Sequence, residues 1–596
     1  MKSWKCVLAL CVATLMVGPL RAASSDPITG EWAGTLAGKL RIVFHIDRSA
    51  DGALHCVLES VDQGDAKIPA ASSSFDETRT LHVDMKSIGA SYEGKLSDDG
   101  TVVDGYFNQG GAQLSLILRR PGAAAPVPTL KPVTRGTVPL KPCLATDGNT
   151  QALCGTYAVL ENRVTHAGRK IALNLMLLPA MSEKPETDPV MALAGGPGQG
   201  AVTAFPALAL IKKLRERRDI VLIDQRGTGK SNPLNCALDL GDPQIMVDGA
   251  YSSDILPGCR AELEKRADLT QYTTSNSVDD FDEVRAAFGY DKVNLYGGSY
   301  GTLAALVYLR RHGAHVRAVA IEGVVPPDLM LPLTFAKTIQ MALAHLFDDC
   351  SADTRCHESF PNLKSDFEKT VDRLDKEPAK LELPNQTTKT PQAVVISRRA
   401  FVADLRPLLY QPAIVSQLPL ILERAYENDW RPFASVAIAI HRAIAGEIAR
   451  GMSFSVFCSE MVPVATEAQI RRGTEGTYLG DLDFRLYQKN CGLWPHSTPP
   501  ADTTATVRSD VPALLIGGEE DPATPASFAR HAAETLTHSR VVAIPNGTHL
   551  SGAACLDEMI VKFVTTASTD GIDESCIMKI HNPPFATLPH AGSSGR

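Results

Sequence analysis

One segment of this 596-residue chain constrains its fold more than any other: an apolar run that leads through a glycine-rich turn into a helical pattern. The apolar run is 293–296, the turn Gly-Gly-Ser-Tyr-Gly occupies 297–301, and the helical pattern covers 302–311. A G-x-S-x-G sequence is common by chance, but between a strand and a helix it places its serine on a tight turn, where the helix amino terminus favours negative charge. This context predicts that Ser299 is a nucleophile.

Apolar runs and helical patterns alternate around this segment. Such alternation is typical of a mostly parallel sheet covered by helices on both faces. The helix before the nucleophile turn is predicted to have Ser277 as its N-cap and to end at Gly289. Between 331 and 500 the pattern is helical and strandless, which predicts a cap inserted over the strand ends. The predicted strands are 171–178, 190–194, 220–223, 293–296, 316–321, 513–516 and 540–544.

Residues 1–23 have the pattern of a secretory signal. Lysines precede an apolar run, and small residues mark a cleavage site near Ala22 and Ala23. We therefore expect an exported protein, secreted or periplasmic, without an integral membrane segment after signal removal. Of the 13 cysteines, eleven then remain, and in an oxidising compartment we expect sequence neighbours to pair. This leaves Cys56 single and pairs Cys143 with Cys154, Cys236 with Cys259, Cys350 with Cys356, Cys458 with Cys491, and Cys555 with Cys576.

Composition along the chain predicts several domains. Short alternating runs between Asp-Gly and Gly-Gly turns predict a small all-β domain over 24–120. The Pro- and Ala-rich stretch 121–142 predicts a linker. The other segments are the signal at 1–23, the first part of the α/β domain at 143–330, the helical cap at 331–500, the second part of the α/β domain at 501–580 and a C-terminal tail at 581–596.

Charge and motif spacing exclude some function classes. A net charge of −8 without a dense Lys/Arg run predicts no nucleic-acid partner. No cysteine–histidine group has zinc-finger spacing, and a serine nucleophile needs no cofactor, so we expect neither metal nor cofactor. Residues 227–231 resemble the end of a phosphate-binding loop, but Asp224 stands where that loop needs its first glycine. We therefore predict a strand-end turn at 224–229.

A serine hydroxyl needs a base to activate it and an acid to orient that base. In the α/β-hydrolase fold these groups follow in the order serine, acid, histidine. Asp521 lies in a loop after the predicted strand 513–516, and His549 in a loop after 540–544, so we expect them to be the acid and the base. Glu322 is an alternative acid or a residue of the substrate pocket. The structural alternatives are a loop carboxylate for Asp521 and a surface histidine for His549.

An oxyanion needs two backbone N–H donors, one of them from the residue after the nucleophile. Tyr300 is predicted to supply this donor. Gly196, in the run Gly-Gly-Pro-Gly at 195–198, is predicted to supply the second, since missing Cβ atoms let the main chain approach a substrate carbonyl. The alternative is a glycine turn with no role in binding.

Six motifs together are specific: Gly-Gly-Pro-Gly at 195–198, Asp-Gln-Arg-Gly-x-Gly-x-Ser at 224–231, Gly-x-Ser-Tyr-Gly at 297–301, Gly-Val-Val-Pro-Pro at 323–327, Asp-x-x-Thr-Pro at 521–525 and Gly-Thr-His at 547–549. With them, the chain resembles the proline iminopeptidase and tripeptidyl aminopeptidase group of exported α/β-hydrolase peptidases over roughly 140–580. The resemblance implies an α/β-hydrolase fold with a helical cap insertion, here with an N-terminal all-β module. It also implies that cap carboxylates hold the substrate's α-ammonium group, and it suggests Glu460 for this role, together with Glu322. Proline iminopeptidases usually have His where this chain has Ala194, which favours the tripeptidyl type.

The expected function is therefore an exported serine aminopeptidase that acts on peptides with a free N-terminus through an acyl-enzyme on Ser299. An exported carboxylesterase or lipase with the same triad is the alternative, and it would be indifferent to a free amine. A non-catalytic binding protein is a further alternative. The complete set of serine, acid and histidine argues against it.

Overall fold

The computed structural model describes residues 26–588, apart from 37, 39, 64, 110–111, 124–125, 250–252 and 551–552. The predicted signal, with its cleavage site near Ala22 and Ala23, lies outside the described residues, and so does 589–596 of the predicted tail. In the described part of the chain, no helix is long and apolar enough to cross a membrane.

Nine antiparallel strands form the amino-terminal module, which confirms the predicted all-β fold of this region. They are β1 (Gly30–Leu36), β2 (Leu40–Arg48), β3 (Leu54–Ser60), β4 (Ala66–Pro69), β5 (Ser72–Phe75), β6 (Thr80–Met85), β7 (Ala90–Leu96), β8 (Val102–Gln109) and β9 (Ala112–Arg119). Their order in the sheet is β4-β3-β2-β1-β9-β8-β7-β6-β5. Alternate residues, such as Phe44 and Ile46 on β2, face one core that contains Trp32.

A ten-stranded sheet forms the centre of the larger domain. Its strands are β10 (Val133–Arg135), β11 (Val138–Leu144), β12 (Gln151–Leu160), β13 (Lys170–Leu178), β14 (Val190–Leu193), β15 (Ile220–Ile223), β16 (Val293–Gly298), β17 (Val316–Glu322), β20 (Ala513–Gly518) and β21 (Ser539–Ile544). Their order is β10-β11-β12-β13-β15-β14-β16-β17-β20-β21. The pairs from β10 to β13 and the pair β13–β15 are antiparallel, and all later pairs are parallel.

Strand β14 shows why this sheet is apolar throughout. Val190 and Ala192 contact the core on one face, and Met191 and Leu193 contact the core on the other, because both faces are covered. β14 lies between β15 and β16, so the direction in which the sheet grows reverses there. The carboxyl ends of strands at such a reversal form a crevice where ligands bind.

Helices cover this sheet and form the cap. Those outside the cap insertion are α1 (Ala201–Ala204), α2 (Ala209–Leu214), α3 (Pro243–Val247), α4 (Leu256–Glu264), α5 (Thr274–Phe288), α6 (Tyr300–His312), α17 (Ala526–Ala533) and α18 (Ala554–Thr566). Those between β17 and β20 are α7 (Leu331–Ala352), α8 (Thr354–Ser359), α9 (Leu363–Lys376), α10 (Arg398–Leu408), α11 (Pro412–Val415), α12 (Leu418–Tyr426), α13 (Arg431–Glu447), α14 (Arg450–Val456), α15 (Glu467–Thr474) and α16 (Leu482–Leu493). A π-helical turn, Phe457–Met461, extends α14. Aromatic contacts, such as Phe401 with Phe433 at 4.9 Å between ring centroids, bind the cap helices together.

Two local predictions were wrong. Thr273, not Ser277, caps α5: its Oγ1 accepts a hydrogen bond from the Asn276 amide, and the helix begins one residue later. Ser277 lies inside the helix, where its Oγ donates to the Thr273 carbonyl at 2.7 Å. The cap is also not strandless, because β18 (Ala379–Pro384) and β19 (Pro391–Ile396) form an antiparallel hairpin.

Part of the predicted linker joins the sheet. Strand β10 and most of β11 lie within 121–142, where Pro139 and Pro142 obscure the strand pattern. Proline is tolerated there because each of these residues is paired on one side only, Pro139 with Thr134 of β10 and Pro142 with Leu153 of β12. The other domain boundaries stay predictions.

The five cysteine pairs expected from the sequence are disulfide-bonded. Cys56 is the free cysteine of the described residues and is buried in the module. All five disulfides lie within the larger domain, so among the described residues no disulfide joins that domain to the module.

Candidate active site

Ser299 lies on the sharp turn between β16 and α6. Its backbone angles are φ 54° and ψ −127°, which is a strained conformation for a residue with a side chain. A Cβ atom on Gly297 would lie 2.6 Å from the Gly301 carbonyl oxygen, and a Cβ on Gly301 would overlap the Leu193 carbonyl. The two glycines therefore let α6 pack directly on β14 and β16, which presents Ser299 at the end of the sheet.

Asp521 and His549 form a hydrogen-bonded pair at the ends of β20 and β21. His549 Nδ1 lies 2.8 Å from Asp521 Oδ2, which also accepts from Thr524 Oγ1 at 2.7 Å. Asp521 Oδ1 accepts from the Ala523 and Thr524 amides at 2.8 and 2.9 Å. Burial acts to raise the pKa of Asp521, but the His549 ring and these donors hold it below its usual value. The carboxylate therefore stays ionised where it orients the ring.

The cap and the loop after β17 enclose His549, whose side chain is 8% exposed. The Tyr410 ring centroid lies 4.4 Å from that of His549, and Thr548 Oγ1 donates to the Tyr410 carbonyl at 2.9 Å. Gly323 approaches so closely that a Cβ there would lie 3.4 Å from His549 Cε1. His549 and Ser299 border the same cavity. The structure thus brings the predicted nucleophile, base and acid to one site.

The Gly-Gly-Pro-Gly loop follows β14 and lies against the nucleophile turn. A Cβ on Gly195 would lie 3.3 Å from the Ser299 Cβ, and Gly196 borders the cavity with φ +107°. That angle is one that L side chains rarely adopt. The cap holds the far side of the loop, since the Ala449 amide donates to the Gly198 carbonyl at 2.9 Å.

Tyr300 begins α6, so its amide is one of the N–H groups at the helix amino terminus that have no partner within the helix. Its side chain points away into the protein. The hydroxyl accepts from Gln225 Nε2 at 3.0 Å and lies 2.7 Å from Thr274 Oγ1. Burial raises the pKa of Tyr300 well above its usual value, so the hydroxyl stays neutral. These contacts anchor the nucleophile turn from beneath.

The turn at 224–229 contacts α1, β13 and α5 through its polar side chains. Asp224 Oδ1 accepts from the Val202 amide in α1 at 3.0 Å, and Oδ2 accepts from Asn174 Nδ2 at 2.8 Å. Arg226 is fully buried and pairs with Asp280, with 2.7 Å between Nε and Oδ2. The polar residues of this motif are therefore occupied by structural contacts.

A cavity of about 820 Å³ lies between the sheet, the cap and the amino-terminal module. Glu322, which is 7% exposed, borders it. Sequence reasoning missed four further charged residues at this cavity. They come from helices whose packing no local pattern reveals, and they are Arg406, Glu447, Arg450 and Asp557.

Glu460 lies elsewhere, in the π-helical turn beneath α5. It does not border the cavity as the described residues define it. Its Oε1 accepts from the Thr274 amide at 2.5 Å and its Oε2 from Thr274 Oγ1 at 2.7 Å. Burial raises the pKa of Glu460 to about 7. Since Thr274 also contacts the Tyr300 hydroxyl, Glu460 belongs to the network under the nucleophile turn.

One group of described side chains has the spacing of a metal site: Asp282, His312 and His315. Asp282 Oδ1 already accepts from Arg285 Nε at 2.7 Å and from the Tyr308 hydroxyl at 2.8 Å. The neighbouring guanidinium would repel a cation, and the group does not border the cavity. We therefore interpret this group as an ion-pair network that joins α5 to α6.

Comparisons with known proteins identify relatives that are named as peptidases. The chain is 26% identical to the serine protease Hip1 of Mycobacterium tuberculosis, over 71% of this chain and 87% of that protein. It is 25% identical to the tripeptidyl aminopeptidase of Streptomyces coelicolor, over 64% of this chain and 75% of that protein. A shorter match, 29% identical, covers 24% of this chain and 34% of the proline iminopeptidase of Neisseria gonorrhoeae.

These relatives confirm the resemblance that the motifs indicated. Residues 188–552, which span β14 to the loop after His549, match the family described as alpha/beta hydrolase fold. The strand order, the serine turn and the match all agree, and the chain belongs to the α/β-hydrolase fold family.

Proposed function

We propose that this protein is an exported serine peptidase of the aminopeptidase type, which cleaves peptides near a free amino terminus. The observation that carries the proposal is the 2.8 Å hydrogen bond between His549 and Asp521, at a cavity that Ser299 also borders. The names of the relatives support a peptide substrate. The signal pattern and the five disulfides support export.

In the proposed mechanism, Ser299 Oγ attacks the scissile carbonyl carbon while His549 takes the hydroxyl proton and Asp521 orients the ring. The amides of Gly196 and Tyr300 donate to the oxyanion that forms. His549 then gives the proton to the leaving amine, and the acyl group remains as an ester on Ser299. Water, deprotonated by His549, hydrolyses this ester and restores the serine.

We assign recognition of the substrate's amino terminus to Glu322. It pairs in register with Gly298, next to the nucleophile, and borders the cavity. A carboxylate in a partly enclosed cavity binds an ammonium group through a charge-assisted hydrogen bond, and an acetylated terminus offers no such charge. Glu447 adds negative charge to the same cavity. Glu460, whose oxygens accept from Thr274, we assign to supporting Tyr300 rather than to binding ammonium.

The test measures release of aniline chromophores from amino-acyl, dipeptidyl and tripeptidyl anilides, each with a free and an acetylated amino terminus. We expect turnover that requires the free amine and is lost in Ser299→Ala. Glu322→Gln should raise KM for free-amine substrates at least tenfold, whereas the exposed Glu475→Gln should not. The chain length of the best substrate gives the number of residues released.

Equal turnover of free and acetylated anilides would contradict the aminopeptidase proposal. Hydrolysis of simple esters without anilide turnover, lost in Ser299→Ala, would instead establish the esterase alternative.

A further inference from the structure

The amino-terminal module borders the cavity around Ser299. Gln113 and Leu114, at the start of β9, line this cavity together with Ser299 and His549. The match to the hydrolase family begins only at residue 188, so this part of the wall comes from outside the matched region. The cavity is therefore formed by two separate units of the chain.

Backbone hydrogen bonds hold the start of β9 against the larger domain. Among the described residues, β9 pairs with β1 only near its end, through Arg119 and Ala33. The same edge of β9 is therefore not paired with β1 at the start of the strand. Leu208 forms an antiparallel bridge with Leu114, and the Ser115 amide donates to the Ala207 carbonyl at 2.9 Å. Since an open strand edge offers unpaired N–H and C=O groups, the segment before α2 satisfies part of this edge.

Side chains also join the module to the larger domain. Lys212, on α2, lies 3.1 and 3.2 Å from the two carboxylate oxygens of Asp104 on β8. Its Nζ also lies 5.0 Å from the ring centroid of Tyr106. A half-exposed ion pair contributes little by itself, but it adds a side-chain contact between module and domain to the backbone bridge. Leu114 is thereby held at a defined place in the cavity wall.

Apolar residues form much of the cavity lining. Phe205, Leu208, Leu210 and Tyr296 border the same cavity, and the rings of Phe205 and Tyr296 meet edge to face at 5.9 Å. Gln113 is the polar residue of the module at this wall. Its Nε2 donates to Asn108 Oδ1 at 3.0 Å, and an amide oxygen such as its Oε1 accepts hydrogen bonds from peptide N–H groups.

We propose that Leu114 and Gln113 form a subsite for an apolar side chain of the substrate, so that the amino-terminal module helps to set substrate specificity. This inference rests on the proposed function only in requiring that Ser299 forms an acyl-enzyme. Leu114 supplies the contact surface and Gln113 a hydrogen bond. Both are specificity-determining residues and take no part in the chemical step.

The test compares Leu114→Trp, which fills the subsite, and Leu114→Ala, which enlarges it, with wild type. The substrates are 4-nitrophenyl esters from acetyl to octanoyl, anilides that carry Ala, Leu or Phe on the acyl side of the scissile bond, and peptides that carry these residues on its amine side. We expect Leu114→Trp to lower kcat/KM at least tenfold for the largest group in one of these series, mainly through KM. Acetyl ester turnover and labelling of Ser299 by a fluorophosphonate should stay within twofold.

Leu40→Ala is the matched control for Leu114→Ala. Leu40 is a partly buried leucine that packs on the same module core, but it does not border the cavity. We expect Leu114→Ala to shift the preference towards larger groups and Leu40→Ala to leave it unchanged. An unchanged size profile in both folded Leu114 variants would overturn the proposal, and so would the same shift in Leu40→Ala.

The ester series separates this inference from the proposed function. A wild type that ignores the free amine but shows a Leu114-dependent size profile with esters would support the subsite and contradict the aminopeptidase. Turnover that depends on the free amine, with the same rate for all sizes of substrate group in all variants, would support the aminopeptidase and contradict the subsite.

Discussion

Asp521 has a carboxylate whose two oxygens are both occupied by donors, and it is fully buried. We expect Asp521→Asn to lower kcat about 10³- to 10⁴-fold, because a neutral amide no longer holds the His549 ring in the tautomer that accepts the Ser299 proton. Steady-state kinetics with the best anilide, together with a thermal melt, measures this. Glu519→Gln is the control, since Glu519 is a nearby loop carboxylate that pairs with Arg530. A loss smaller than tenfold would contradict the assigned role.

A substitution at Gly323 tests how much the activity depends on the exact position of the His549 ring. A Cβ there would lie 3.0 Å from Thr524 Oγ1 and 3.4 Å from His549 Cε1, at φ +67°. We expect Gly323→Ala to lower kcat at least tenfold, because small displacements of a catalytic base cost large factors in rate. Gly476→Ala is the matched control: φ is +72°, and nothing lies within 4 Å of the added atom. Both variants carry the strain of a positive φ, but only Gly323→Ala adds close contacts around His549. Equal activity of the two would contradict the prediction.

The sequence is enough to predict that Asp521 and His549 meet. Each lies in the loop that follows a strand, and β20 and β21 are parallel neighbours with Gly518 opposite Ile544. Glu447 and Gln113 could not be predicted at the cavity in this way. Their positions depend on how the cap and the module pack on the sheet, and no local pattern records those contacts.

Among the elements, the π-helical turn Phe457–Met461 carries a carboxylate whose ionisation opposes folding. Burial raises the pKa of Glu460 from 4.5 to about 7. The folded chain thus keeps a proton that the unfolded chain releases above pH 4.5, so this group lowers stability as pH rises towards 7. From these pKa values the loss is about 3 kcal/mol.

We therefore expect Glu460→Gln to remove this component of the pH dependence. Between pH 4.5 and 8, the free energy of unfolding should fall by about 3 kcal/mol less in Glu460→Gln than in wild type. Urea unfolding at several pH values measures the difference. The exposed Glu475→Gln should follow wild type, and parallel curves for wild type and Glu460→Gln would refute the prediction.

Elements at the sheet centre were easier to predict than those at its margins. The run 220–223 is apolar on both faces, and the predicted bounds agree with β15. In β18, by contrast, Lys380 and Glu382 are exposed, and the hairpin has only two strands, so its apolar content was too low to indicate a strand. Likewise, Thr273 and Ser277 are both plausible caps, and only the helix start decides between them.

At the scale of the whole molecule, the disulfides are distributed unequally along the chain. They close loops of 6 to 33 residues in the larger domain, and among the described residues none enters the module. Each such bond typically contributes about 2–4 kcal/mol of stability. We therefore expect a reductant to destabilise the larger domain selectively.

Hydrogen-exchange mass spectrometry with and without reductant checks this. Protection should fall in peptides between 143 and 576, whereas strands β2 to β7 of the module should keep theirs. Peptides from β9 should lose some protection, because the 207–208 segment pairs with this strand. Uniform loss throughout the module would contradict the prediction.

Cys56 gives the module a free thiol, which the larger domain lacks in its described residues. Burial raises the pKa of its thiol to about 12, so at neutral pH almost none of it is the nucleophilic thiolate. Since the thiolate is the species that attacks a disulfide, the folded module disfavours thiol–disulfide exchange at Cys56. In the folded protein, an alkylating reagent reaches Cys56 only when the module opens. The rate of its alkylation therefore measures the opening rate of the module.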